Sequence, residues 1–131
     1  MITIQTTSID HVLPIRHKAM YPYGPLNLAQ TEDDSLATHY GLFMDHQCIA
    51  VISAINHDDT LQLRKFATLP SFQNQGYGSM LLSHVLSLYN GRIILNARTS
   101  KISYYERFGF RQTNQTFTRN NIDYCIMEVL R

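Results

Sequence analysis

The stretch Phe66-Ala67-Thr68-Leu69-Pro70-Ser71-Phe72-Gln73-Asn74-Gln75-Gly76-Tyr77-Gly78-Ser79 joins an extended apolar segment to a glycine-bearing turn and then to an amphipathic helix. This order leaves few folds open. Gly76 and Gly78 carry no Cβ, so backbone N–H groups can close on an anion there. The helix that follows adds its first unpaired N–H groups and the positive end of its dipole. The loop reads as a pyrophosphate cradle. Two familiar glycine loops are excluded, because the dinucleotide fingerprint needs a third small residue where Leu81 stands and the Walker loop needs a Gly-Lys-Ser/Thr ending that is absent. The pattern that remains is Gln-x-x-Gly-x-Gly, at residues 73–78.

Periodicity places this loop in a larger sheet. Residues 2–5 alternate as a short strand, and residues 9–20 carry a helix that must accommodate Pro14 and is ended by Pro22 and Pro25. Residues 21–36 are turn-rich, with Glu32, Asp33 and Asp34 in succession, the pattern of a solvated loop. Residues 40–44 and 48–56 read as strands joined at Asp45-His46-Gln47, the second so continuously apolar that it belongs at the centre of a sheet. After the turn at His57-Asp58-Asp59, residues 61–69 form the next strand, and Pro70 stops it by removing a ladder donor. Beyond Gly78, Leu81, Leu82, Val85, Leu86 and Tyr89 recur at helical spacing. Asn90-Gly91 ends that helix, residues 92–97 form a strand, and Ser100 caps a short helix that runs to Arg107 and ends at Gly109. Strand, helix and strand around the glycine loop require a right-handed parallel crossover. Residues 112–118 and 123–130 close as a hairpin about Arg119-Asn120-Asn121. The expected fold is α/β, a mixed and mostly antiparallel sheet with helices on both faces, its parallel pairing confined to the strands that flank the glycine loop.

The bulk properties narrow the function. A chain of 131 residues, 44% hydrophobic and 16% charged, suits one domain spanning 1–131. Eleven Lys and Arg against ten Asp and Glu leave a formal charge of +1, which provides neither a nucleic-acid footprint nor a polybasic membrane anchor. Cys48 and Cys125 lie far apart in apolar surroundings and read as two buried thiols in a reducing compartment. None of the six histidines has metal-ligand spacing, so no metal is expected. No basic segment leads into an apolar one at the N-terminus, and no apolar run approaches membrane-spanning length; a cytoplasmic protein is expected.

The Gln-x-x-Gly-x-Gly loop resembles the coenzyme A loop of the GNAT superfamily of N-acetyltransferases, whose backbone amides hold the cofactor's diphosphate. A second match lies downstream, where Leu95-Asn96-Ala97-Arg98 leads into Ser103-Tyr104-Tyr105-Glu106-Arg107-Phe108-Gly109-Phe110, similar to the family's aromatic-Tyr-Glu-basic-apolar-Gly-Phe helix end. Leu63-Arg64-Lys65-Phe66-Ala67-Thr68-Leu69-Pro70 is similar to the cofactor-facing strand, and Ile15-Arg16-His17-Lys18 and Tyr40-Gly41-Leu42-Phe43 fit the first helix and second strand of a small stand-alone member. The resemblance implies two parallel strands that splay apart to admit the pantetheine arm, which pairs with the backbone of Phe66, Ala67 and Thr68 as an added strand would. It also places the diphosphate among Gln73, Asn74, Gln75, Gly76, Tyr77, Gly78 and Ser79, and borders the acceptor site with the acidic loop.

The implied reaction moves an acetyl group from acetyl-CoA to a primary amine of a small molecule or peptide. Tyr105 matches the family's proton donor: a phenol with a reference pKa near ~10 stays protonated at neutral pH and can serve a departing thiolate. A backbone N–H near Phe66 is the natural donor to the thioester oxygen. His39, Glu32, His57, Asp58 and Asp59 are candidates for the base that takes the amine proton. Two positions depart from the family: Arg98 stands where many members have Asn, and Asn121-Ile122-Asp123-Tyr124 stands where related members often have Gly-Ile-Pro-His. A domain that binds coenzyme A without turning it over is the alternative. Residues 123–130 alternate as an edge strand does, through which a homodimer would form.

Overall fold

The structure, a computed structural model, describes residues 1–131. Its strands are β1 (Ile2–Thr7), β2 (Thr38–Met44), β3 (Gln47–His57), β4 (Thr60–Thr68), β5 (Arg92–Arg98), β6 (Arg111–Arg119) and β7 (Ile122–Leu130). The helices are α1 (Ile9–Met20), α2 (Tyr77–Ser87) and α3 (Ile102–Glu106). All seven strands form one sheet in the order β1-β2-β3-β4-β5-β7-β6, antiparallel throughout except for β4 and β5. The parallel pair is the one joined across the glycine loop and α2, as the sequence requires.

Local chemistry fixes the hairpins. The β2–β3 turn holds Asp45 and His46 at φ 47° and 74°, and the β6–β7 turn holds Asn120 and Asn121 at 53° and 62°. Positive φ at both central residues matches the twist of the flanking strands, and Asn and Asp tolerate it best. Pro14 lies inside α1, and the loop after that helix is built from two 3-10 turns, Leu26–Ala29 and Glu32–Leu36. α2 begins at Tyr77, one residue before Gly78, so Gly78 belongs to its first turn.

The two long helices cover opposite faces of the sheet. His39 and Ser53 are directly paired across β2 and β3, and Ser53 accepts a hydrogen bond from Arg16 of α1 at 2.9 Å. Tyr40, the next residue of β2, reaches Tyr89 beyond the end of α2, hydroxyl to hydroxyl at 2.7 Å. Successive strand residues point to opposite faces, so α1 lies on one face and α2 on the other. Val12 and Ile15 of α1, and Leu81, Leu82, Val85 and Leu86 of α2, are buried against the almost uninterrupted apolar run of β3. β7 lies between β5 and β6, so residues 123–130 are internal and the edge strand on that side of the sheet is β6. The alternation in β7 follows from its half-buried faces rather than from an open edge.

Candidate active site

β4 and β5 pair only from Thr60 opposite Arg92 to Leu63 opposite Leu95. The separation beyond that point originates in β4. On its other edge Ser53 pairs with Arg64 and Val51 with Ala67, so Lys65 and Phe66 together oppose Ile52. Lys65 takes φ 52° to do so. An extra residue of this kind is a β-bulge, which bends the strand and increases its twist. Residues 64–68 thereby leave β5, their backbone groups on that edge have no strand partner, and the gap widens into a cleft of about 880 Å³. Consecutive Arg64 and Lys65 interrupt the alternation of an otherwise apolar strand, and that interruption is the trace of the bulge in the sequence.

On the α2 face the cleft meets the glycine loop. Gly76 caps the start of α2 at φ 90°, and no side chain caps the first-turn N–H groups. A Cβ on Gly76 would have no atom within 4 Å, so there is room beside this uncapped helix start, the kind of site that receives a phosphate. Gly78 has a different task from the one its motif suggests. A Cβ there would stand 3.2 Å from both the Phe66 ring and the Thr68 Oγ1, so its bareness lets the helix start lie directly on β4. Gln73 donates from Nε2 to the Thr68 carbonyl at 3.0 Å and ties the loop to the end of the strand. Phe66, Ala67, Thr68, Gln73, Asn74, Gly76, Gly78 and Ser79 line the cleft. Gln75 and Tyr77 do not: the Gln75 amide turns back to the Ser71 carbonyl at 3.1 Å, and the Tyr77 ring packs edge-on against Phe72.

α3 places Tyr105 in the same cleft, between the rings of Tyr104 and Phe110. Burial raises the Tyr105 phenol to about 12, the neighbouring Tyr104 adds to the rise, and the Arg98 cation opposes it. The hydroxyl therefore keeps its proton across the neutral range. Tyr104 also lines the cleft, with its hydroxyl 2.9 Å from Ser79 Oγ and the Arg107 guanidinium over its ring. The turn of about 100° between neighbouring helix positions still fits within one broad helix face, and Tyr104 consequently bridges α3 to the start of α2.

The α1 face holds a buried polar cluster that motif reading passed over. Arg16, fully buried, donates to the Ala29 carbonyl at 2.9 Å, to Asp34 Oδ2 at 3.0 Å and to the Ser53 hydroxyl at 2.9 Å. His39 lies 3.1 Å from the Asp34 carbonyl through Nε2 and 2.6 Å from Ser53 Oγ through Nδ1. A carbonyl only accepts, so in the neutral ring Nε2 donates and Nδ1 accepts from the Ser53 hydroxyl. Both ring nitrogens are thus engaged in fastening the acidic loop to the sheet, and His39 is outside the cleft. His57 pairs with Gln62 at 2.9 Å beside Asp58 and Asp59, at the opposite end of β4 from Thr68. Glu32 does not line the cleft either. The base candidates and the site are therefore separate.

Splayed parallel strands, an uncapped helix after a glycine turn, and a protonated tyrosine thus meet at one cleft. Residues 17–131 match the acetyltransferase (GNAT) domain family, and the chain belongs to that family. It is an acetyltransferase by that membership. It is 25% identical over 130 residues to the uncharacterized N-acetyltransferase YitI of Bacillus subtilis (strain 168), a match covering 89% of this chain and 87% of that protein. Its fold is similar to that of the ribosomal-protein-S18-alanine N-acetyltransferase of Escherichia coli, with a TM-score of 0.79, 21% identity and coverage of 99% and 94% of the two chains. A GNAT family acetyltransferase from Elizabethkingia anophelis with acetyl-CoA bound gives a TM-score of 0.75, 19% identity and coverage of 99% and 98%. No helix is long and apolar enough to cross a membrane.

Proposed function

We propose that residues 1–131 act as one catalytic unit in the cytoplasm that uses acetyl-CoA to acetylate a primary amine of a small molecule or peptide. The observation that carries this reading is the unpaired edge of residues 64–68, which opens between an uncapped helix start and the Tyr105 phenol. The backbone of Phe66, Ala67 and Thr68 would hold the pantetheine arm in strand fashion. The loop from Gln73 to Ser79, with Gly76 as its most open point, would hold the diphosphate. Gln75 and Tyr77 serve there through backbone and loop shape. A fold neighbour with acetyl-CoA bound supports this choice of co-substrate. Acetyl-CoA, when bound, supplies an acyl group on a thiol leaving group. Tyr105 holds a proton at its hydroxyl for that sulfur; the rise to about 12 keeps the phenol protonated and makes it a weaker acid, so the transfer relies on its position beside the developing thiolate.

No Asp, Glu or His lines the cleft, so the amine loses its proton to water before or during attack. The rate should then rise with pH toward the acceptor's own pKa, without a plateau set by an enzyme base near ~6.5. A strand partner on the exposed edge of β6 would make a homodimer part of the same reading. The test is release of free thiol from acetyl-CoA across a panel of amines. Amine-dependent release supports the reading. Tight binding of acetyl-CoA with no amine-dependent release overturns it in favour of a coenzyme A-binding module.

A further inference from the structure

Every charged side chain that lines the cleft is a cation: Arg64, Lys65, Arg98, Lys101, Arg107 and Arg119. The whole chain carries only +1, so this is a matter of placement and not of composition. Of the six, only Arg64 has a carboxylate partner, Asp33 at 2.7 Å. The phosphates of a coenzyme account for cations on the α3 side, where Arg107 lies over Tyr104 and Tyr104 reaches Ser79. They do not account for Lys65. Its ammonium donates to the Tyr21 hydroxyl at 2.7 Å, just beyond α1, on the face of the sheet away from α2. The residue holds a left-handed φ of 52°, a backbone strain that persists only where the surroundings enforce it. Arg119 enters from the β6–β7 turn, beyond the end of β5, where Arg98 pairs with Tyr124. Its guanidinium lies over the Phe117 ring and has no carboxylate partner.

Cations without carboxylate partners that line one partly closed cleft raise its positive potential and disfavour an ammonium. Both effects are relieved by a ligand that presents a free amine and brings its own negative charge. We infer that the acceptor is an amine carrying a carboxylate or phosphate group, bound by Lys65 and Arg119 on the acceptor side of the cleft. This rests on the acetyl-transfer reading for the amine alone, because the anion site is measurable without turnover.

The experiment titrates β-alanine and O-phosphoethanolamine, with ethanolamine and propylamine as uncharged-tail controls, into the protein saturated with free coenzyme A. The anionic amines should bind at least ~10-fold more tightly than ethanolamine, the scale of one hydrogen-bonded charge pair. Lys65→Gln and Arg119→Gln should each remove about that factor for the anionic amines and leave ethanolamine and coenzyme A unaffected, and Lys65→Arg should restore it. Equal binding of amines with and without the anionic tail, or no change in folded Lys65→Gln and Arg119→Gln proteins, overturns the inference. Binding with this selectivity but no thiol release from acetyl-CoA leaves the anion site standing and removes the transfer reading. Acetylation confined to the neutral amines does the reverse. The amidated tripeptides Ala-Glu-Ala and Ala-Gln-Ala decide the source of the charge: a preference for the first that disappears in Lys65→Gln assigns the site to acidic peptides, and selectivity among the small amines alone assigns it to a metabolite.

Discussion

The two faces of the cleft are built by different means. On the α2 face, each feature comes from a short run of sequence: an uncapped helix start at Gly76, a glycine at 78 that admits close packing, and a strand that stops at Pro70. On the α1 face, the parts come from remote segments. Arg16 gathers Ala29, Asp34 and Ser53, Lys65 meets Tyr21, and Arg64 meets Asp33. In the proposed function the first face holds acetyl-CoA and the second holds the acceptor. The second can change its acceptor by altering a few loop contacts without disturbing the first.

Substitutions that act on one face and spare the other test this division. The largest effect is expected at the junction: Tyr105→Phe removes only the hydroxyl, and turnover should fall by ~10²–10⁴-fold while acetyl-CoA affinity by calorimetry stays nearly constant. A loss confined to affinity would remove Tyr105 from the proton-donor role.

Next is Arg16→Met on the α1 face, which leaves Asp34, Ser53 and the Ala29 carbonyl without their shared donor. Loss of one partner from a buried pair costs about 3–5 kcal/mol, measurable by urea unfolding. The same cluster sets an acid limit. Burial alone would raise the Asp34 carboxyl, but hydrogen bonds from Arg16 and Thr31 and the Arg16 charge outweigh it and hold the group below 3.8. A carboxyl lowered by folding contributes stability that is fully present above its unfolded value and is lost as pH falls through the folded one. Stability should therefore decline below about pH 3.8, and Asp34→Asn should flatten that part of the curve.

On the α2 face the two glycines should separate. Gly76→Asp puts a carboxylate into open space at the helix start and strains a φ of 90°, so coenzyme A affinity should drop with the fold retained. Gly78→Ala presses a methyl to 3.2 Å from Phe66 and Thr68, so it should cost stability of roughly 1–3 kcal/mol, the scale of overpacking. Equal effects on affinity at both positions would refute the division of labour between them. The smallest change is expected from Tyr104→Phe, which removes one hydrogen bond to Ser79, worth about 0.5–1.5 kcal/mol, and should shift cofactor affinity a few-fold at unchanged turnover.

Residues 73–79 and 103–110 were readable because their constraints are local. Positive φ at Gly76, apolar spacing in α2 and the Gly109-Phe110 helix end depend on neighbours a few positions away. The parallel pairing of β4 with β5 was readable for the same reason, since a strand, a helix and a strand in close succession leave one connection. Other readings failed where the decisive partner was distant. His39 looked like an available base until Ser53 and the Asp34 carbonyl occupied its ring, and residues 123–130 looked like an edge until β6 paired with their outer side.

By itself, then, the sequence determined the order of elements, the glycine turn that starts α2 and the short helix that carries Tyr105, because helix starts, turns and strand ends are set by short-range sterics and hydrogen bonding. Only the tertiary structure decided that β4 bulges at Lys65, that Tyr104 shares the cleft, and that all the charged side chains lining it are cations. Those outcomes depend on which surfaces meet across the sheet. A charge buried beside a carboxylate and the same charge turned into an open cleft look identical in a list of residues, and packing alone tells Arg16 from Lys65.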